Sequence, residues 1–300
     1  MILGIDFGGT KVLIGLADDA GNVLTQQRMD TDAAAGAEQA VDRALALAEK
    51  ILAEHGSHAG EPVHLRAIGV VSPGIVLPDR ILLAPNVPGW ERLHLAETVR
   101  DRFGGVPTAV GTDAKAAALA EARWGSLAGA DPGIFLSLGT GVGAAIVIGG
   151  QVVTGANGAS GEIGYNLRGV HDPGGYSLGT ASLEEAVGGR ALGERATVLL
   201  GRPVTAAELF TLAGHDPVAA GLRDEALTEL AVHVANLANL IDPRRIAVGG
   251  GFTASADVLF PVLRSMLDRV VPFPPELVAA TFEQDGAFLG AVLLAKELID

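Results

Sequence analysis

The sequence contains no cysteine, and this absence excludes several kinds of protein chemistry. Without a thiol there is no disulfide, no thiolate nucleophile and no zinc site built on cysteine ligands. Such a composition fits a protein of a reducing compartment. The first ten residues, MILGIDFGGT, show no basic segment followed by an apolar stretch and a cleavage site. We therefore expect no secretion signal and a cytoplasmic location.

Basic residues are also few, because 21 lysines and arginines stand against 35 aspartates and glutamates, giving a net charge of -14. Proteins that bind nucleic acid need a basic surface that neutralises phosphates, and anionic membranes likewise attract basic segments. No basic cluster is larger than a pair such as Arg244-Arg245. The sequence therefore predicts neither nucleic acid nor a membrane as a partner.

Aromatic residues make up only 4% of the chain, whereas 49% of it is apolar. That apolar content is sufficient for a sizeable core of alanine, valine, leucine and isoleucine. The uncharged stretch 132–161 is long enough to suggest a membrane span, but glycines divide it into short runs. Such runs are typical of buried strands.

Strand and helix patterns alternate along the chain, which favours the α/β class. Near the N-terminus, the order strand, glycine turn, strand, turn, strand is predicted over residues 2–28, and it recurs over residues 134–154. Helix patterns follow, among them 91–103 and 114–124. An apolar stripe that includes Ala40, Val41 and Leu45 predicts an early helix, and one that includes Leu227, Leu230 and Val234 predicts a late helix that Asp242-Pro243 ends. An internal repeat of this kind predicts two related domains. We place them at residues 1–114 with 285–300, and at residues 115–284.

Three glycine-rich turns each follow a predicted strand: Asp6–Lys11 (DFGGTK), Leu138–Gly143 (LGTGVG) and Gly249–Gly251 (GGG). Glycine allows backbone N–H groups to approach a phosphate closely. Each turn alone favours an ordinary connection between strands, but three together, two of them at equivalent places in a repeat, favour phosphate binding. None of them is a Walker A loop or a Rossmann fingerprint.

Two aspartates stand beside these elements. Asp6 ends a predicted buried strand, where a carboxylate is costly unless a cation such as Mg²⁺ meets it, directly or through water. Asp113 opens an alanine-rich helix, where it can act as an N-cap, as a functional carboxylate or as both. For Asp6 the alternative is a residue that caps a turn.

Taken in order, the motifs resemble those of the ROK family of sugar kinases and sugar-responsive repressors, within the hexokinase–actin ATPase superfamily. The resemblance depends on DFGGTK, the later aspartate that opens a helix, LGTGVG, GASGEIG and DPRRIAVGGG, and it extends over nearly the whole chain. It implies two actin-like (ribonuclease H-like) α/β domains with a nucleotide and sugar cleft between them. It also implies ATP with Mg²⁺, a sugar-like substrate and a homodimer.

The resemblance implies roles for individual residues. Asp113 matches the catalytic base, and Asp6 is the candidate for Mg²⁺ bound with ATP. The residues implied to bind the nucleotide are Asp6, Gly8, Gly9, Thr10, Lys11, Gly139, Thr140, Gly141, Gly143, Gly249, Gly250 and Gly251. Those implied to bind the sugar are Asn86, Thr112, Asp113, Glu162, Tyr165 and Glu184. Glu185 is an open alternative to Glu184.

The sequence departs from the family pattern on the sugar side. Thr112 stands where the family typically has asparagine, and Tyr165 stands where it typically has histidine. The cysteine-rich loop that binds zinc in the family has no cysteine here. We therefore expect no zinc site and a sugar pocket that differs from a glucose pocket.

Two other functions are compatible with the same family. One is a sugar-responsive regulator, which the acidic charge and the start of the chain at the first phosphate strand argue against. The other is a sugar-binding protein without catalysis, which the presence of Asp6, Lys11 and Asp113 argues against. The phosphate donor is open between ATP and polyphosphate.

Overall fold

The computed structural model describes residues 1–59, 63–77, 79–84 and 89–300, and in them strands alternate with helices. The strands are Ile2–Phe7 (β1), Lys11–Ala17 (β2), Val23–Asp30 (β3), Ala67–Ser72 (β4), Ile75–Leu77 (β5), Arg80–Leu82 (β6), Thr108–Thr112 (β7), Gly133–Leu138 (β8), Val142–Ile148 (β9), Gln151–Val152 (β10), Arg245–Gly249 (β11) and Glu276–Ala279 (β12). The α-helices are Ala37–Ala59 (α1), Leu95–Arg102 (α2), Asp113–Trp124 (α3), Ser182–Val187 (α4), Gly189–Leu200 (α5), Ala206–Leu212 (α6), Pro217–Ile241 (α7), Ala256–Val270 (α8) and Gly286–Lys296 (α9).

The chain divides into two compact units. The first unit comprises Met1–Ala120, Thr154–Ala159 and Asp285–Asp300. The second unit comprises Glu121–Val153 and Ser160–Gln284. The chain therefore passes from the first unit to the second within α3.

A five-stranded sheet in the order β3-β2-β1-β4-β7 forms the centre of the first unit. The strands β1, β2 and β3 pair antiparallel, whereas β4 and β7 run parallel to β1. Parallel strands end at the same edge of a sheet, so the residues that follow β1 and β7 emerge together. This topology places Asp6, near the end of β1, and Asp113, which follows β7, at one edge.

Helices cover both faces of this sheet. Helix α1 buries its predicted apolar face, including Ala40, Val41 and Leu45, against one face. On the other face α9 packs unusually close, because a Cβ atom at Gly69 would overlap the backbone carbonyl of Ala291. Burial on both faces explains why β1 up to Ile5 and β4 up to Val71 contain no polar side chain.

The second unit repeats the strand plan of the first, with the order β10-β9-β8-β11-β12. The strand β9 is antiparallel to β8, whereas β11 and β12 run parallel to β8. The predicted recurrence of the strand plan is therefore confirmed. The uncharged stretch 132–161 supplies β8, β9 and β10, as predicted for buried strands.

Helices α4 to α8 contribute most of the second core. The predicted stripe on α7 is buried, including Leu227, Leu230 and Val234. The helix starts at a double cap, because the Asp216 carboxylate accepts hydrogen bonds from two backbone N–H groups and Pro217 follows. Across the described ranges, no helix combines the length and the apolar character that a bilayer crossing requires.

One predicted helix is shorter than expected. The pattern predicts a helix over residues 91–103, whereas the structure has a 3₁₀ turn at Trp90–Arg92 and then α2. Leu93 lies between them in an extended conformation. Its side chain is buried in the first core, so packing takes precedence over the local helical pattern.

Candidate active site

Two hydrogen bonds from Thr31, a fully buried residue that follows β3, hold the first glycine turn in place. The Thr31 hydroxyl donates a hydrogen bond of 2.7 Å to the Gly8 carbonyl, and its N–H donates one of 2.9 Å to the Thr10 carbonyl. In a trans peptide the carbonyl and the following N–H point in opposite directions. The Gly9 N–H therefore points away from Thr31, as a phosphate-binding turn requires.

Asp6 and Asp113 lie close enough for their charges to interact. The pKa of Asp6 is raised to about 8, chiefly by burial and secondly by repulsion from Asp113. Arg28 lowers this pKa and Asp285 raises it. Arg28 and Asp285 form an ion pair with each other. A partly buried carboxylate in these surroundings suits a cation, which would allow it to ionise.

Asp113 is the first residue of α3, and its Oδ1 atom accepts a hydrogen bond of 2.7 Å from the Ala114 N–H. The helix N-terminus favours a negative charge at this position. Thr112 is buried, and its hydroxyl donates to the Gly74 carbonyl at 3.0 Å and accepts from the Val76 N–H at 3.3 Å. Thr112 therefore holds the start of the β5–β6 hairpin beside Asp113.

The second glycine turn is hydrogen-bonded to the N-terminus of α5. The Gly189 N–H donates to the Gly139 carbonyl at 2.9 Å, and the Arg190 N–H donates to the Thr140 carbonyl at 3.1 Å. With these two carbonyls directed at α5, the N–H groups of Thr140 and Gly141 point away from it. The turn thus presents backbone donors, which is the arrangement that binds anions.

The third glycine turn lies against the second. Gly250 has φ of 91°, a conformation that favours glycine, and a Cβ atom there would strike the Leu138 carbonyl. A Cβ atom at Gly139 would be 3.8 Å from the Gly251 nitrogen. The second unit therefore brings together two turns that lie more than a hundred residues apart in the sequence.

The candidate sugar residues of the second unit lie next to the second turn. The Glu184 Oε2 atom accepts a hydrogen bond of 2.9 Å from the Val142 N–H, whereas Glu185 is exposed. Tyr165 ends a 3₁₀ turn that Glu162 precedes, and its ring meets the Tyr176 ring edge-on at 6.3 Å. Asn86 lies outside the described residues.

Polar contacts anchor the segment that follows Tyr165. The Asp172 carboxylate accepts hydrogen bonds from the N–H groups of Arg168 (2.8 Å) and Gly174 (2.7 Å). The Arg168 guanidinium binds both carboxylate oxygens of Glu229 on α7. In the part of the chain that the structure describes, no three His, Cys, Asp or Glu side chains are grouped to hold a metal ion.

Sequence reasoning missed the residues that support the turns. Thr31, Arg28 and Asp285 belong to no recognisable motif, and the sequence carries no signal for them. Lys11, in contrast, lies where the sequence places it, as the exposed first residue of β2 after the first turn.

Comparison with known proteins is consistent with this geometry. The sequence model of the ROK family matches residues 2–298. The chain is 29% identical to a glucokinase of Thermotoga maritima, over 99% of this chain and 98% of the relative. It is 30% identical to an N-acetylmannosamine kinase of Shigella flexneri, over 98% of both. Because such curated relatives phosphorylate carbohydrates, this chain is a carbohydrate kinase.

A crystal structure of a ROK family glucokinase from Streptomyces griseus, in complex with glucose and AMPPNP, superposes with a TM-score of 0.76. It is 30% identical and covers 99% of each chain. This similarity confirms the predicted fold class, α/β with two actin-like domains. The chain belongs to the ROK family.

Proposed function

We propose that this kinase transfers the γ-phosphate of ATP to a hydroxyl group of a sugar or sugar-like polyol, with Asp113 as the catalytic base. The observation that carries the proposal is the position of Asp113. It lies at a helix N-terminus and within electrostatic range of Asp6, beside the first glycine turn. A carboxylate in this position can accept a proton next to a bound phosphate.

The three glycine turns are the proposed nucleotide site. Their carbonyls are bonded within each unit, so N–H groups of the turns remain directed outward to meet phosphate oxygens. In the proposal Lys11 adds a positive charge at the first turn, and the third turn lies near the adenosine. The proposed residues are Asp6, Gly8, Gly9, Thr10, Lys11, Gly139, Thr140, Gly141, Gly143, Gly249, Gly250 and Gly251.

Asp6 fits a role in holding Mg²⁺, directly or through water, since burial makes its ionised carboxylate costly without a cation. When bound, Mg²⁺ neutralises charge on the triphosphate during transfer. Arg28 lowers the pKa of Asp6, and its ion-pair partner Asp285 opposes this effect.

In the proposed reaction Asp113 holds the acceptor hydroxyl and takes its proton as the hydroxyl oxygen bonds to the γ-phosphorus. The bond from that phosphorus to the oxygen bridging to the β-phosphate breaks, and ADP leaves. The Ala114 N–H holds one oxygen of Asp113 at 2.7 Å, which fixes the orientation of the carboxylate. Positioning of this kind supplies much of the catalysis in phosphoryl transfer.

The proposed sugar residues are those whose carboxylates, amides and hydroxyls can bond several hydroxyls in fixed directions. They are Asn86, Thr112, Asp113, Glu162, Tyr165 and Glu184. The hydroxyl of Thr112 already forms hydrogen bonds with Gly74 and Val76. We infer that it shapes the pocket by holding that hairpin.

We predict that glucose is not the best substrate. Thr112 is shorter than asparagine, and the Tyr165 ring, held by Tyr176, is larger than an imidazole. An unpaired buried partner costs about 1–3 kcal/mol, so a pocket matched to another sugar discriminates against glucose. Rates of ADP formation across hexoses, amino sugars and cyclitols test this. The highest kcat/KM on glucose would contradict it. Running the panel with polyphosphate in place of ATP identifies the donor.

We also predict that the purified protein contains no stoichiometric zinc. The segment that follows Tyr165 is anchored by Asp172 and by the Arg168–Glu229 pair, which need no metal. Prolonged dialysis against a zinc chelator should therefore leave the melting temperature unchanged. Activity should return fully when Mg²⁺ alone is restored. Elemental analysis that finds one zinc per chain would show the prediction to be wrong.

A further inference from the structure

The carboxylate of Glu184 is part of the second glycine turn as well as of the candidate sugar wall. Glu184 lies on α4, and its Oε2 atom accepts a hydrogen bond of 2.9 Å from the N–H of Val142. Val142 is the first residue of β9 and follows Gly141 directly. The side chain therefore fixes the point at which the turn becomes a strand.

Two glycines make room for the Glu184 side chain. A Cβ atom at Gly141 would fall on the Glu184 carboxylate. At Gly164 it would lie 2.9 Å from the Val142 carbonyl and 3.2 Å from the Glu184 Cβ atom. Gly164 belongs to the 3₁₀ turn between Glu162 and Tyr165. One carboxylate is thus packed between the proposed phosphate turn and the proposed sugar residues.

We propose that Glu184 is a positioning residue for the second phosphate turn, in addition to any contact that it makes with sugar. A hydrogen bond to an ionised acceptor is stronger than a neutral one, so the Glu184–Val142 bond holds the turn in its binding conformation before the nucleotide arrives. This inference rests on the proposed role of the turn in binding phosphate.

The proposal separates two roles that activity alone would not distinguish. If Glu184 only contacts sugar, its loss leaves nucleotide binding in the absence of sugar unchanged. If it positions the turn, nucleotide affinity falls without any sugar present. The charge of Glu184 could itself repel a phosphate, and a variant that keeps an acceptor oxygen while removing the charge controls for this.

The test measures the affinity of a non-hydrolysable ATP analogue with Mg²⁺ and no sugar, by calorimetry. We expect Glu184→Ala to weaken binding about tenfold, as the loss of one charge-assisted hydrogen bond implies. Glu184→Gln keeps an acceptor oxygen but loses the charge, so it should bind more tightly than Glu184→Ala. Glu185→Ala, which changes the exposed neighbour on the same helix, should bind as the wild type does. Unchanged affinity in Glu184→Ala would overturn the proposal.

A second measurement tests the role of Glu184 without any nucleotide. Hydrogen exchange of the Val142 amide should accelerate in Glu184→Ala and stay slow in Glu184→Gln. If the wild type does not bind the analogue at all, the proposed function fails, and amide exchange still decides the role of Glu184. If Glu184→Ala does not fold, Gly141→Ala replaces it, because its methyl group would displace the carboxylate. Equal exchange rates in the wild type and the variant would contradict the proposal.

Discussion

Replacing Asp113 with alanine should reduce kcat by about 10²–10⁴-fold, the usual cost of losing a positioned general base. The affinity for an ATP analogue should stay within about threefold of the wild type. The reason is the location of the side chain, which begins α3 beside the first turn without being part of it. Steady-state kinetics with the best substrate and calorimetry with the analogue measure the two effects separately.

A capping role alone would produce a different result. Asp216 caps α7 by accepting hydrogen bonds from the N–H groups of Val218 and Ala219, and it is a residue of the second unit that is not among the proposed site residues. Asp216→Ala should lower stability by about 0.5–2 kcal/mol, as the loss of a cap usually does, and leave kcat unchanged. If Asp113→Ala behaves in the same way, with wild-type turnover and only a lower melting temperature, Asp113 is a cap and not the base.

Replacing Glu121 with alanine should give the largest loss of stability among single changes of the carboxylates that the structure describes. Glu121 is 1% exposed, and its carboxylate accepts hydrogen bonds from the Ser126 N–H and hydroxyl at 2.7 Å and from the Phe282 N–H at 2.8 Å. Its loss leaves two backbone donors without their acceptor, at about 1–3 kcal/mol each. We expect the free energy of unfolding to fall by about 2–6 kcal/mol, measured by urea denaturation.

Glu194 provides the matched control for this prediction. It is an exposed glutamate of the second unit that pairs with Arg190 one helical turn away. Such surface pairs contribute about 0–1 kcal/mol, so Glu194→Ala should unfold almost as the wild type does. A Glu121→Ala variant that is as stable as Glu194→Ala would show that the buried carboxylate does not hold the segments around Ser126 and Phe282.

Most strands of both sheets could be predicted from the sequence because their signals are local, whereas the four-residue β12 was not predicted. Apolar runs bounded by glycine turns specify β1, β2, β8 and β9, and the same plan occurs twice. Helix α7 was equally clear, since its apolar stripe and the Asp242-Pro243 stop are both visible in the sequence. The short helices α4 and α6 were not predicted, because six or seven residues give too little periodicity to identify.

The support of the site could not be predicted, because it depends on contacts between distant residues. Thr31 lies more than twenty residues from the carbonyl of Gly8 that it binds, and Arg28 and Asp285 are 257 residues apart. Glu184 and Glu185 are adjacent and chemically alike, and the sequence cannot show which one faces the glycine turn. Only the packing of α4 directs Glu184 toward Val142 and leaves Glu185 exposed.

The most direct test of the central claim is to follow the transferred phosphate. The protein is incubated with Mg²⁺, ATP labelled at the γ-phosphate and each sugar of the panel, and the products are separated. We predict that label appears in a phosphorylated sugar in equal amount to the ADP formed, and that Asp113→Ala suppresses both. Two results would contradict the proposal that this chain is an ATP-dependent sugar kinase. One is ATP hydrolysis without phosphate transfer, and the other is sugar binding with none of the panel sugars phosphorylated.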